Sequence, residues 1–307
     1  MQRLLIAAAV VVMLGASTAS AQYAVPRQTS YAMNAAEKAN LQIAHDFWRD
    51  IMLGGNLDIA SHYMPADFIS RNPNVAAGRD AFVKALRENP SLFQNTRRQR
   101  AGTPEVEFAK NDYVFFMWAN FVINPIEPAK VFKYNTLELF RIVNGKVVEH
   151  WDGVHKSVPG DFGPKSQGGG TYAHSTNLSA KEQETRKLGV IEFKDILQYG
   201  RTELAQQYMA AGYMQHNMNV PGGRDNFIKN FSNRPKLEVK DAWVTPPTLE
   251  LITGNFYLKF DERMEKDPTD PARMAVYYRF DMVRCDDGLI QEHWDVAYPN
   301  GFPPPAN

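Results

Sequence analysis

Along the chain, stretches with apolar residues at every third or fourth position come first and aromatic, β-branched stretches follow, and this order then occurs a second time. "AEKANLQIAHDFWRDIM" (36–52) has helical spacing, "GGNLDIASHY" (54–63) restarts a helix after its glycines, and "GRDAFVKAL" (78–86) predicts a short third helix. Strand character takes over in "DYVFFMWANFVI" (112–123), "KVFKYNTLELFRIV" (130–143) and "KVVEHWDGV" (146–154), the last two joined by the hairpin signal Asn144-Gly145. The second round predicts helices in "KEQETRKLGVIEFKDIL" (181–197), "TELAQQY" (202–208) and "GRDNFIKNF" (223–231). It then predicts strands in "LELITGNFYLKF" (249–260), "RMAVYYRFDMVR" (273–284) and "LIQEHWDVA" (289–297), with Asp287-Gly288 as the turn. Helices followed by strands argue for an α+β domain rather than alternating βαβ units.

The recurrence is a duplication. "YMPADFISRNPNVAAGRDAF" (63–82) aligns without a gap on "YMAAGYMQHNMNVPGGRDNF" (208–227), with ten of twenty positions identical. "FRIVNGKVVEHWD" (140–152) aligns on "VRCDDGLIQEHWD" (283–295) at nearly the same offset, so each copy ends on the tetrapeptide EHWD. Between the copies, "GDFGPKSQGGGTYAHSTNLS" (160–179) has the Gly/Ser/Pro content of a flexible connector. The expected organisation is a first domain over 22–160, a linker over 161–180 and a second domain over 181–307. His155 and His174, near or in the linker, are read as solvated.

Residues 1–21 precede the first copy and have a short basic start, an apolar stretch and the small-residue pattern Ala19-Ser20-Ala21. This reads as a secretory signal peptide cleaved before Gln22, giving a periplasmic or secreted protein with no membrane span after cleavage. The formal net charge of zero lacks the footprint of a nucleic-acid or anionic-membrane binder. The single cysteine, Cys285, excludes an internal disulfide and a paired-cysteine metal or redox site. No G-x-S-x-G elbow is present, and "QGGGTYAHS" lacks the lysine ending of a phosphate-binding loop.

The run "YMQHNMNVPGGRDNFIKNF" (213–231 from Tyr213) followed by "DMVRCDDGLIQEHWDV" (281–296) resembles the SnoaL-like polyketide cyclase family of the nuclear transport factor 2-like superfamily. The first copy resembles it as well, and together the two cover nearly all of the chain after residue 21. The resemblance implies two tandem cone-shaped domains, each with N-terminal helices packed on a curved antiparallel sheet around a pocket. It implies no cofactor and no metal. Members that catalyse aldol or isomerisation chemistry use an acidic residue as acid and base, and pairing of members through their sheets makes an internal pseudo-dimer or a homodimer an expectation here.

Abstracting a proton next to a carbonyl requires a base aimed at the carbon and a donor for the developing enolate oxygen. Alternation along the last strand puts His293 and Asp295 on one face and Glu292 and Trp294 on the other. The resemblance makes the His/Asp face the pocket side, with His150 and Asp152 its match in the first copy. It also turns His216, aligned on Arg71, toward the terminal aspartate, while Asn217 and Asn72 are shared. A fixed cation at Arg71 would depress Asp152, whereas His216 can be neutral, so catalysis is expected from His216, His293 and Asp295 of the second copy.

Tyr208, Tyr213, Asn217, Tyr277 and Trp294, with Arg71, His150 and Asp152, are the expected ligand-contacting set. Each has an ordinary structural reading as core filling or a satisfied polar group. His216, His293 and Asp295 could also serve zinc or iron, but their spacing matches no metal motif. Two function readings result. One is an exported, cofactor-independent enzyme for a small carbonyl compound. The other is a non-catalytic module that holds a small hydrophobic ligand or pairs domains.

Overall fold

The computed structural model describes residues 32–89, 102–123, 131–152, 169–170, 172–267 and 270–296. The signal peptide expected at 1–21, His155 and most of the connector lie outside the described residues. Among the described residues no helix is long and apolar enough to cross a membrane.

Each copy opens with a capped helix. In α1 (Ala35–Phe47) the Asn34 side chain accepts from the Glu37 amide while Glu37 reaches back to the Asn34 amide, and Ser179 with Glu182 does the same for α4 (Ala180–Val190). Both helices widen into π-helical turns, Trp48–Leu53 and Ile191–Gln198. Short segments follow: α2 (Ala60–Tyr63), β1 (Ile69–Ser70) and α3 (Arg79–Glu88) in the first copy; α5 (Ala205–Tyr208), β6 (Met209–Gln215) and α6 (Arg224–Phe231) in the second.

The strands are β2 (Val106–Lys110), β3 (Tyr113–Ile123), β4 (Val131–Val143) and β5 (Lys146–Asp152), then β7 (Leu249–Thr253), β8 (Phe256–Asp267), β9 (Asp270–Asp286) and β10 (Leu289–Asp295). They form two five-stranded sheets of matching order, β1-β5-β4-β3-β2 and β6-β10-β9-β8-β7. Both hairpin signals hold: Asn144 and Asp287 sit at φ 50° and 51°, each followed by a glycine at positive φ, as a tight turn matched to strand twist requires.

Three expectations change. "LELITGNFYLKF" is two strands, because Gly254 at φ 55° turns the chain between β7 and β8. β2 and the edge strands β1 and β6 are additional, the last two hidden by short or weakly alternating sequence. The sheets are also mixed rather than antiparallel: β1 and β6 run parallel to β5 and β10, since each enters from a helix instead of a hairpin.

The two faces of each sheet have different partners. Helix-side clusters bury Phe47, Trp48, Phe116 and Phe140 in the first copy and Phe193, Tyr257, Val283 and Cys285 in the second. A third cluster lies between the sheets and joins Phe108, Phe115, Leu139 and Trp151 to Phe256, Phe260, Phe280 and Trp294. Asn135 of β4 adds a polar link, its amide donating to the Asp295 carbonyl at 3.1 Å. The end of the connector is stitched to both copies: the Ala173 amide donates to the Tyr113 hydroxyl, and Tyr172 donates to Glu262. Exposed His174 accepts from the Glu250 amide at 3.1 Å.

Phe260 touches Trp151, Tyr172, Tyr278 and Phe280 within this inter-sheet layer. Phe260→Ala is expected to lower the unfolding free energy by about 3–5 kcal/mol. Urea denaturation followed by tryptophan fluorescence checks this, and a loss well under about 1 kcal/mol would count against a shared core.

Candidate functional site in the second copy

The last strand sets the geometry. In β10, His293 and Asp295 turn toward the helices, while Glu292 and Trp294 turn toward the other sheet, as alternation requires. Next to it lies β6 in parallel register, with Gln215 opposite His293. Gln215 therefore shares the helix-side face, and its Nε2 lies 2.9 Å from His293 Nδ1.

One residue further along the chain, His216 must point the other way. It stacks on Trp294 with ring centroids 4.6 Å apart and lies 3.2 Å from Glu292, which Arg284 also binds. Arg71 does the same in the first copy, pairing with Glu149 at 2.6 Å while Arg141 holds the other carboxylate oxygen at 2.7 Å. The expectation that His216 and Arg71 face the pocket is thus corrected: they clamp the glutamate of EHWD on the inter-sheet side. The suggested effect of Arg71 on Asp152 and the metal set of His216, His293 and Asp295 lose their geometry with it. Trp294 is packed between the sheets, so its expected ligand contact is also corrected.

Alternation brings Asn217 back to the helix side, where it donates to Asp295 Oδ2 at 2.7 Å. Asn72 donates to Asp152 at 2.8 Å in the matching way. Tyr213 is buried and donates to Glu192 Oε1 at 3.0 Å, and half-buried Tyr277 lies beside Arg279. Tyr208 is not brought to this cluster; it lines a surface cleft of about 710 Å³ with Leu178, Arg186 and Ile191.

The helix side of the second copy gathers charges that single residues did not announce. Glu192 comes from the π-helical turn, Lys259 and Asp261 from β8, and Arg279 and Asp281 from β9. Lys259 binds Asp261 and lies 3.2 Å from Asp281, which also has Arg279 at 3.7 Å. His293 lies 3.7 Å from both Glu192 and Asp281. Glu192, Lys259, Asp261, Asp281, His293 and Asp295 are all buried.

The first copy has the same frame with fewer charges: Glu138, His150 and Asp152 remain buried, but Glu192, Lys259 and Asp261 have apolar counterparts. The N-terminal capping boxes align Glu192 on Phe47, and the strand pairings align Lys259 on Phe116 and Asp261 on Trp118. There Trp48 stacks on Trp118 at 5.1 Å, Phe140 stacks on His150 at 4.9 Å, and His150 Nε2 lies 2.5 Å from Glu138. Aromatic rings occupy that interior, leaving His150 and Asp152 bonded within it. Aligning the two first helices would have exposed Glu192, a carboxylate where the duplicate has phenylalanine.

Burial pushes Glu192 up to about 7, against the pull of His293 and the Tyr213 hydroxyl. Burial likewise raises Asp295, outweighing the opposing charge of His293 and the Asn217 bond. Asp281 is also penalised by burial, yet Lys259, His293 and Arg279 together hold it below the usual carboxylate range. Burial opposes the His293 imidazolium, but Asp281, Glu192 and Asp295 shift the balance upward. Acids of the same chemical type are thereby pushed apart, the pattern that divides proton donors from acceptors. Asp281, His293 and Asp295 each offer a ligand atom within 4.8 Å of the others, but Lys259 and Arg279 already neutralise Asp281, so the set fits proton handling better than a cation.

No family model matches the chain, and no curated protein matches it. Solved structures similar to it include TsrD from Streptomyces laurentii, 16% identical over 39% of this chain and 90% of its own, with a TM-score of 0.25. A candidate polyketide cyclase from Bacillus cereus is 18% identical over 41% of this chain and 82% of its own, with a TM-score of 0.28. An NTF2-like protein of unknown function from Burkholderia pseudomallei is 13% identical over 37% and 88%, with a TM-score of 0.27. Each covers about two fifths of the chain.

Because Glu192 is raised in the native state, the folded protein keeps a proton that the unfolded chain releases above the ordinary glutamate value of 4.5. Stability from this group is complete below that pH and is lost as pH rises through about 7, a swing of up to about 3 kcal/mol. Glu192→Gln, which stays neutral, is expected to flatten the decline between pH 5 and pH 8, as measured by urea midpoints.

Proposed function

We propose that this chain is an exported tandem SnoaL-like protein whose second, cone-shaped NTF2-like domain is a cofactor-independent acid/base catalyst for a small carbonyl compound. The observation that carries the reading is convergence: Glu192 Oε2, His293 Nε2 and Asp295 Oδ1 are buried on the helix side with no hydrogen-bond partner among the described residues, His293 Nε2 lying 3.7 Å from Asp281 Oδ1. Leaving such atoms unsatisfied costs about 1–3 kcal/mol each, an expense usual where a substrate is to be handled. A carbonyl oxygen accepting from His293 Nε2–H would place its α-carbon near two carboxyls with raised proton affinity, Asp295 and Glu192. Either accepts the α-proton as the enolate oxygen gains charge, and returns it at the end of the cycle.

The first domain, filled by aromatic rings, is the docking half of an internal pseudo-dimer. Export to the periplasm or beyond rests on the sequence of residues 1–21 alone, and it argues against polyketide cyclisation itself, whose intermediates stay tethered in the cytoplasm. The second reading, a non-catalytic module holding a small ligand, is favoured by the burial of His293 and Asp295, at 5% and 3% exposure.

Exchange of α-protons for deuterium in a panel of small ketones, aldehydes and β-keto acids, followed by proton NMR, tests the proposal. Asp295→Asn or Glu192→Gln is expected to slow exchange by about 100-fold or more, the larger loss identifying the base. Exchange at the buffer rate for every compound, with saturable binding retained, would establish the second reading instead.

A further inference from the structure

The orientation of His293 is decided by a residue outside the catalytic group. Gln215 Oε1 accepts from the Asn217 backbone amide at 2.9 Å, a donor that cannot be reversed. Turning the Gln215 amide over would set its NH₂ against that N–H, so the orientation is fixed by the backbone rather than by convention. Its Nε2 then faces His293 Nδ1 at 2.9 Å and the Tyr213 hydroxyl oxygen at 3.3 Å, while Tyr213 donates onward to Glu192. Each hydrogen in this chain has one direction available to it.

We propose that Gln215 is a positioning residue that holds His293 as the neutral tautomer protonated at Nε2, so that His293 serves as a hydrogen-bond donor to substrate and not as the base. Nδ1 must accept from Gln215, which leaves the proton on Nε2, an atom 3.7 Å from Asp281 Oδ1 and without a hydrogen-bond partner among the described residues. Forming the imidazolium would place a second N–H on Nδ1 directly against the Gln215 N–H and forfeit that bond. The groups facing His293 work in the other direction: Glu192 from the π-helical turn, Asp281 and Arg279 from β9, Lys259 and Asp261 from β8, and Asp295 on its own strand. The acids favour a charged ring and burial opposes it, the balance lying upward, while Gln215 opposes charging at Nδ1 and so sets which tautomer the neutral ring adopts.

The first copy has Ser70 in place of Gln215, its hydroxyl 3.4 Å from the Asn72 amide. His150 Nδ1 there has no hydrogen-bond partner among the described residues, and its Nε2 is engaged by Glu138. Gln215 is thus specific to the copy that carries Glu192, Lys259 and Asp261 in its interior. That a neutral donor is wanted rests on the acid/base reading above, but the tautomer belongs to the free protein and can be observed with no substrate present.

The test is nitrogen NMR of the ¹⁵N-histidine-labelled protein, with the His293 signals assigned by their loss in His293→Asn. Above the raised midpoint of the ring, where it is neutral, the expected pattern is an unprotonated Nδ1 and a protonated Nε2. Gln215→Glu keeps the size and the acceptor for Asn217 but replaces the donor by a carboxylate. It is expected to convert the ring to imidazolium and to raise its midpoint by about one unit or more. A neutral wild-type ring protonated at Nδ1, or a Gln215→Glu spectrum and midpoint matching wild type, would each overturn the assignment. Failure of the exchange assay with the expected tautomer in place would instead reject the catalytic reading and leave the role of Gln215 standing.

Discussion

The period-two alternation of a single strand governs the arrangement. β10 runs between two chemically different layers, so consecutive residues of EHWD must satisfy opposite environments. Trp294 fills the space between the sheets, Glu292 is held there by Arg284 and His216, and His293 and Asp295 are turned to the helices. A shift of one residue would bury the carboxylate and imidazole against the other sheet and put the indole among charges. The parallel neighbour β6 extends the rule by sending Gln215 and Asn217 one way and His216 the other.

The two copies keep one face of the sheet alike and differ on the other. The inter-sheet face keeps its logic in both copies: a tryptophan, a glutamate and cations around that glutamate. The helix-side face does not. In one copy it is closed by stacked aromatic rings, and in the other the same frame positions hold Glu192, Lys259 and Asp261. Burying that many charges is tolerable only as a paired network, since one uncompensated ion in such an interior would cost several kcal/mol. Lys259 is central, binding Asp261 and lying 3.2 Å from Asp281, while burial raises Glu192 and Asp295.

Much of the fold was legible because its signals are local. Helical spacing placed α1 and α4, alternating aromatic and β-branched residues placed the long strands, and Asn144-Gly145 and Asp287-Gly288 placed two turns. The turn at Gly254 went unread because apolar residues continue on both sides of it. β6 went unread because "MAAGYMQ" has little strand character of its own and forms by pairing with β10. That omission had a consequence: without β6 there was no alternation to apply, and His216 was assigned to the wrong face.

The sequence by itself determined the duplication, the helix-then-strand order, the terminal EHWD and the separation of its four residues onto two faces, because these depend on periodicities of two and 3.6 along one segment. Only the tertiary structure decided which face became the inter-sheet core, where His216 and Arg71 point, and that Glu192, Lys259 and Asp281 meet His293. Those outcomes depend on register between strands and on helices crossing a sheet, contacts between residues far apart in the chain. Proton affinity follows the same division: the residue type supplies an ordinary carboxyl or imidazole, and burial with its neighbours sets which of them holds a proton at neutral pH.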